Sequence, residues 1–229
     1  MTEAIIFLNG NAPEEFELRK IGTNVAGKLI ICADGAYRYL DGKIKPDIVI
    51  GDFDSIDEKF INKDCEIVKL SPEKDYTDGH VCMDCALNRG AKVVYIYGAF
   101  GGRPDHAYSN LSLLYQAKRR GAVAMLIGEG FTVTLESGKI VKSVVPGATV
   151  SLVPFLESAH ILSTEGLKYP MKNVTLGRLH ILGISNTAEM PVIKVEAEGE
   201  LLVFIENVKE EKDDENHLRQ GPAISSRNS

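Results

Sequence analysis

KLIICADGAYRYLDGKIKPDIVIGDFDS, residues 28–55, carries the fold in miniature. Two short apolar runs, KLIICA and DIVIG, flank a helix-like segment over residues 34–42, and each run stops at an aspartate and a glycine. Apolar runs alternating with helical segments are the pattern of a parallel sheet covered by helices. Outward from this stretch the alternation continues, with AIIFLNG (4–10), KVVYIYGAFGG (92–102) and AVAMLIGEG (122–130) reading as further strands. Helices are expected over 12–24, 77–89 and 105–120. The last is the best marked, with Pro104 suited to a helix start and Leu111, Leu114 and Ala117 on one side. Several strands end in Gly, Asp or Asn, residues that let a chain turn sharply at the carboxyl edge, where open parallel sheets bind ligands.

From about Ser143 the texture changes. ATVSLVPFL (148–156), HILSTEGL (160–167), LHILGIS (179–185), VIKVEAEG (192–199) and LLVFIEN (201–207) alternate or run apolar over strand lengths, separated by Gly, Pro and Asn. That is the signature of an antiparallel sandwich. The expected fold class is therefore α/β, with a parallel-sheet, Rossmann-like domain over residues 1–142 followed by an antiparallel β-sandwich over 143–208. Residues 209–229, charged at first and then polar with almost no aliphatics, are expected to be a disordered tail.

A chain of 229 residues, 44% hydrophobic and 25% charged, suffices for one large domain or two modest ones. A formal charge of -6 argues against a nucleic-acid partner, which requires a basic face. No apolar stretch approaches the roughly 18 residues of a membrane span. The opening MTEAIIFLNG lacks the features of a signal peptide, so the expected location is cytoplasmic. Cys32, Cys65, Cys82 and Cys85 are too few and scattered for a disulfide framework. Cys82 and Cys85 form a lone CxxC without the flanks of a redox or zinc motif.

Carboxylates gather at the predicted strand ends: Asp34, then Asp52 with Asp54, then Asp75 and Asp78 at a helix start. Taken singly, each is at home as a turn former or helix cap. Together they pose an electrostatic problem, because two carboxylates about 4 Å apart repel by about 4 kcal/mol at an effective dielectric near 20. A cation resolves it, and hard oxygen donors favour Mg²⁺ shared with substrate phosphates. GAFGGRPDH, residues 98–106, is the second chemical feature: a strand, three glycines, an arginine and a helix start. Glycines let backbone N–H groups approach a polyphosphate, and Arg103 can hold phosphate oxygens bidentately. No Gly-Lys-Ser/Thr follows, so this is not a Walker loop. Asp105 can cap the helix, orient Arg103 or face the substrate, and His106 reads as structural.

Taken in order, ADGAYRYL (33–40), PDIVIGDFDSI (46–56), KDYTD (74–78), GAFGGRPDHAYSNL (98–111) and GISN (183–186) resemble the signature of thiamine pyrophosphokinases. The resemblance implies an N-terminal nucleotide-binding α/β domain, a C-terminal sandwich that binds thiamine, and a homodimer with thiamine sites between subunits. It implies Mg²⁺ held by Asp52, Asp54 and Asp78, with Asp34 lining the same pocket. Asp34, Thr77, Gly101, Gly102 and Arg103 would serve ATP, Arg103 and Asp105 would lie in the active site, and Ser185 and Asn186 would lie near thiamine. Gly166, Leu167 and Tyr169 fit a GLKY-like stretch of the family. The implied reaction is diphosphoryl transfer from ATP to the thiamine hydroxyl, with Asp52 or Asp78 taking the proton. The chain departs from the family pattern in two places. His80 stands where many bacterial members are acidic, and no aromatic residue follows Ser185 and Asn186, leaving Tyr37, Phe100 or a partner's apolar residue to face the pyrimidine. The alternatives are a pyrophosphokinase for a hydroxymethylpterin, a haloacid-dehalogenase-like phosphatase using Asp52 and Asp54, and a non-catalytic sensor.

Overall fold

The parallel half follows from period-two burial. In β1 (Thr2–Phe7), Ala4 and Ile6 enter one apolar cluster while Ile5 and Phe7 enter another, so the strand is covered on both faces. It is flanked by β2 (Leu29–Ala33) and by β5 (Ala91–Tyr97), and β3 (Ile48–Gly51) and β4 (Glu66–Lys69) extend the sheet beyond β2. On the other side, β6 (Val123–Gly128) pairs with β5, and all five of these pairings are parallel. The computed structural model describes residues 2–54, 56–71, 75–177, 179–180 and 182–207. Ser55, Lys74 and the expected tail, 209–229, lie outside the described residues.

Helices cover the two faces unequally. On one face α3 (Asp78–Asn88) and α4 (Pro104–Arg119) bury Cys82, Met83 and Ala86, and Leu113, Leu114 and Ala117, against β1, β3 and β5. On the other, α1 (Glu15–Gly22) and α2 (Tyr37–Leu40) bury Leu18, Ile21, Tyr37 and Leu40 against Phe7, Cys32 and Val49. Truncating a core leucine such as Leu113, fully buried here, costs about 2–5 kcal/mol. α4 begins at Pro104 and ends at Arg119, one residue earlier at each end than the expected 105–120.

The sheet then turns antiparallel. β7 (Phe131–Ser143) follows β6 by a tight hairpin, and β12 (Val192–Glu206) lies along its whole length. The second half of β12 also pairs with β8 (Thr149–Pro154), which carries β11 (Asn186–Thr187). Its first half pairs with β9 (Ser158–Glu165), which carries β10 (Lys172–Gly177). These two branches enclose a separate apolar cluster that includes Val150, Leu152, Ile161, Leu176 and Val195.

Several expectations need correction. The helix over 34–42 is shorter: a 3-10 turn at Asp34–Ala36 followed by α2. LHILGIS is not a strand; its described residues form turns and a bridge from His180 to Gly177, and strand pairing resumes only at Asn186. VIKVEAEG and LLVFIEN are one strand, not two, with the register against β7 shifting between Ala197 and Leu201. β4, β7 and β10 were not expected. In FTVTLESGKIVKS the apolar positions are diluted by Thr, Glu, Ser and Lys, so a search for apolar runs passes over it.

Candidate active site

In a parallel sheet every strand delivers its carboxyl end to the same edge. Here Asn9 and Gly10 after β1, Asp34 after β2, Asp52 and Asp54 after β3, and Gly98, Ala99, Gly101, Gly102 and Arg103 after β5 line one cleft of about 690 Å³, together with Asp75, Thr77 and Asp78 at the start of α3. That volume lies within the range of small-ligand pockets.

Asp34 organises the acidic side of the cleft. It is buried, and its Oδ1 accepts the Gly35 N–H at 2.6 Å while Oδ2 accepts the Phe53 N–H at 2.8 Å. Burial foremost raises its pKa above the ordinary aspartate value; the two backbone donors pull it down, and the Asp78 and Asp52 charges push it up again. Phe53 sits at φ 61, in the left-handed region that a bulky residue rarely adopts, and this places Asp52 and Asp54 on either side of an irregular turn. The neighbouring strand leaves Asp34 no slack, since a Cβ on Gly51 would lie 2.3 Å from the Asp34 Cγ.

Asp34, Asp52 and Asp54 can each bring one oxygen to within 4.8 Å of the others, and they are the group among the described residues that can do so. The donors are all carboxylate, with no His or Cys among them, which fits a hard divalent cation such as Mg²⁺. Asp78 lines the same cleft and its charge is felt at Asp34, but Asp34 takes its place in the tight trio.

The other side of the cleft is the glycine loop. Gly101 and Gly102 both have positive φ, 86 and 64. The positive φ makes glycine the fitting residue at 101, and a Cβ there would also fall on the Asn11 side chain, which would have to swing aside. The loop is laced to the exit of β1 by Gly10 N–H to the Gly98 carbonyl at 2.9 Å and Asn11 N–H to the Phe100 carbonyl at 2.6 Å. From α4 the buried Asn110 donates to the Ala99 carbonyl at 2.8 Å. Arg103 is exposed and paired with Asp105, its Nε donating to Oδ1 at 3.1 Å and its Nη2 to Oδ2 at 2.5 Å. The Arg103 hydrogen bond holds the Asp105 carboxyl down at about 2. Of the three roles open to Asp105, the structure displays orientation of Arg103, with the His106 N–H as a further donor to Oδ1.

Thr77 caps α3, its Oγ1 accepting the His80 N–H at 3.4 Å. His80 bonds Thr77 Oγ1 through Nδ1 at 2.8 Å and Ser112 Oγ through Nε2 at 2.9 Å. Burial lowers the His80 pKa, the Asp84 charge opposing the shift.

Ser185 and Asn186 are not among the residues lining the cleft. The Asn186 side chain is buried and spent on backbone: Oδ1 accepts the Tyr169 N–H at 3.0 Å and the Thr187 N–H at 2.9 Å, and Nδ2 donates to the Tyr169 carbonyl at 2.7 Å. Ser185, at φ 58, is exposed. Tyr37 does not offer a stacking face, because it is 5% exposed and its hydroxyl accepts the Asn62 N–H. Phe100 packs against Phe131, ring centroids 5.0 Å apart. Sequence reasoning assigned no role to Asn9, Asn11 or Asn110. The signal available was their position, polar amides directly after β1 or inside an otherwise apolar stripe of α4.

The model of the thiamin pyrophosphokinase catalytic domain matches residues 24–126, and that of the thiamin pyrophosphokinase vitamin B1 binding domain matches residues 137–202. A thiamine pyrophosphokinase from Bacillus subtilis is 33% identical over 154 residues, covering 62% of this chain and 71% of the relative. The chain belongs to the thiamine pyrophosphokinase family. A rice relative, thiamine pyrophosphokinase 1, is 27% identical over 206 residues, covering 76% of this chain and 77% of its own. Among solved structures, Bacillus subtilis thiamine pyrophosphokinase superposes with a TM-score of 0.78 at 25% identity, over 90% of this chain and all of that one (100%). The yeast enzyme shares the fold, with a TM-score of 0.78 at 18% identity over 90% of this chain and 86% of that chain. The family's catalytic span holds Asp34, Asp52, Asp54, Thr77, Asp78, Arg103 and Asp105, whereas Ser185 and Asn186 fall in its vitamin B1 binding span. Asn9 and Asn11 precede both spans.

Proposed function

We propose that this chain catalyses magnesium-dependent transfer of a diphosphoryl group from ATP to the hydroxyl of thiamine, releasing AMP and thiamine diphosphate. The observation that carries the reading is the meeting, in one cleft, of an all-carboxylate trio with a glycine-arginine loop. Asp34, Asp52 and Asp54 would hold Mg²⁺, with Asp78 beside them, and the cation would neutralise triphosphate charge. Gly101 and Gly102 leave backbone N–H groups free of any Cβ shield for phosphate oxygens. Arg103, held at Nε and Nη2 by Asp105, keeps its remaining N–H donors for the transferring group. The thiamine hydroxyl would attack the β-phosphorus in line with departing AMP, and Asp52 or Asp78, both of which line the cleft, would take its proton. Positioning and electrostatics supply most of the acceleration in reactions of this type.

In this reading residues 1–142 form a Rossmann-like ATP-binding domain and residues 143–208 a sandwich that binds thiamine, in a cytoplasmic homodimer. Around Ser185 the chain exposes Leu179, Leu182, Ile184 and Met190, an apolar fringe suited to a second subunit that would bring Ser185 to the partner's cleft. The test offers ATP and Mg²⁺ with either thiamine or a hydroxymethylpterin. AMP formation with thiamine alone is the expected result. AMP with the pterin alone overturns the choice of alcohol, and release of ADP or phosphate in place of AMP overturns diphosphoryl transfer.

A further inference from the structure

For a neutral His80 ring, the proton count along the Thr77–His80–Ser112 chain has one solution. Ser112 Oγ lies 2.6 Å from the Ser109 carbonyl, which can only accept, so the single Ser112 proton is committed there. Ser112 must then accept from His80, placing the ring proton on Nε2 and the lone pair on Nδ1. Nδ1 in turn accepts the Thr77 hydroxyl proton at 2.8 Å. One Thr77 lone pair receives the His80 N–H, the other has no partner among the hydrogen bonds of the described residues, and Thr77 lines the cleft.

We propose that His80 is a positioning residue, whose ring locks the Thr77 hydroxyl so that an oxygen lone pair, and not the O–H, faces the substrate. The inference rests on the reading of the cleft as a Mg–ATP site and deepens it. A lone pair complements a cation or its bound water and repels a phosphate oxygen, so Thr77 meets the nucleotide through the cation or its water shell. The ring is not needed for the helix cap, which uses only the His80 backbone N–H. It is nevertheless held at both nitrogens, Nδ1 by Thr77 and Nε2 by Ser112, with the Tyr76 ring 6.5 Å away, tilted, while Gln116 on α4 donates to the His80 backbone carbonyl at 3.2 Å. This serine–histidine support is built from residues of two packed helices, α3 and α4, so it is as rigid as their interface.

The test is a double-mutant cycle on the full chain, reading kcat and KM for Mg–ATP from AMP formation, with Tm as a fold check. His80→Phe is expected to lower kcat/KM about 10-fold, the low end for a residue orienting a ligand group. His80→Asn, which keeps an acceptor near the position of Nδ1, restores most of that loss although it packs worse. In a Thr77→Val background His80→Phe adds nothing. An equal loss in both backgrounds, no loss at all, or an Asn variant as impaired as Phe overturns the inference. If His80→Phe does not fold, Ser112→Ala serves instead: by freeing Nε2 it admits the other tautomer, and its effect must also vanish in Thr77→Val. A wild-type chain that forms no AMP refutes the functional reading separately, and the same cycle is then read from Mg–ATP affinity by calorimetry.

Discussion

Adding one methyl group at Gly51 should disable the cleft without touching a charge. Gly51 lies in β3, where alanine adopts the backbone conformation freely, but its Cβ would sit 2.3 Å from Asp34 Cγ and 2.6 Å from both Cβ and Oδ2. Ordinary contact begins at 3.4 Å, so the carboxylate must move by about 1 Å, a misplacement that costs about 100-fold in rate when it affects a reacting constellation. The movement stretches charge-assisted bonds to the Gly35 and Phe53 N–H groups, each worth about 1.5–3 kcal/mol. With about 1–3 kcal/mol of overpacking strain, Gly51→Ala should lose about 2–4 kcal/mol of stability, a fall in Tm of about 5–15 °C for a chain of this size. Thermal melting and AMP formation read the two effects. Asp34→Gly with Gly51→Ala should be less destabilised than the sum of the single changes, because the Asp34 Cβ and carboxylate atoms that the new methyl group strikes are all gone. A Gly51→Ala protein with unchanged Tm and rate would refute the claim that Asp34 is held in place by contact with β3.

The Arg103–Asp105 pair sets a pH expectation. The Asp105 carboxyl is depressed to about 2, so whatever it contributes is present above the ordinary aspartate pKa and is lost only as pH falls through about 2. The rate profile should therefore show no limb from Asp105 at any pH above about 4, and Asp105→Asn should lower kcat at every such pH; a profile in which Asp105→Asn removes a limb near neutrality would contradict this. Asn186→Ala should cost about 1–3 kcal/mol in chemical denaturation, because it removes three hydrogen bonds to part-buried backbone groups of Tyr169 and Thr187; a loss below about 0.5 kcal/mol would contradict the clamp. Arg103→Lys should fall well short of wild-type rate, since a point charge replaces the planar fork that Asp105 holds at Nε and Nη2, and equal kcat/KM values would show that the fork is unused.

The parallel half, β4 excepted, was legible because its strands are continuous apolar runs that stop at Gly, Asp or Asn, and the same punctuation located the cleft; β4 reads EIVK, with only two apolar residues between charges. The irregular turn that brings Asp52 and Asp54 to one site was readable as two aspartates bracketing a sharp bend; its cause, Phe53 in the left-handed region, was not, because nothing local marks phenylalanine for that conformation. β7 escaped notice because it alternates while its apolar residues serve different clusters, Val133 and Leu135 in one and Ile140 in another. LHILGIS misled for the opposite reason: its leucines look like core, yet Leu179 is 92% exposed and Leu182 70% exposed. Tyr37 likewise depended on tertiary context, since its ring is swallowed between α2 and the sheet. The His80 network needs Ser112 from another helix, and no spacing rule along the chain joins them.

The most direct test of the central claim is a quantitative product analysis of the purified chain with ATP, Mg²⁺ and thiamine, run alongside EDTA and Asp52→Asn controls. AMP and thiamine diphosphate should accumulate in equal amounts and vanish in both controls. ADP with thiamine monophosphate, or AMP formation indifferent to EDTA and to Asp52, would contradict the account.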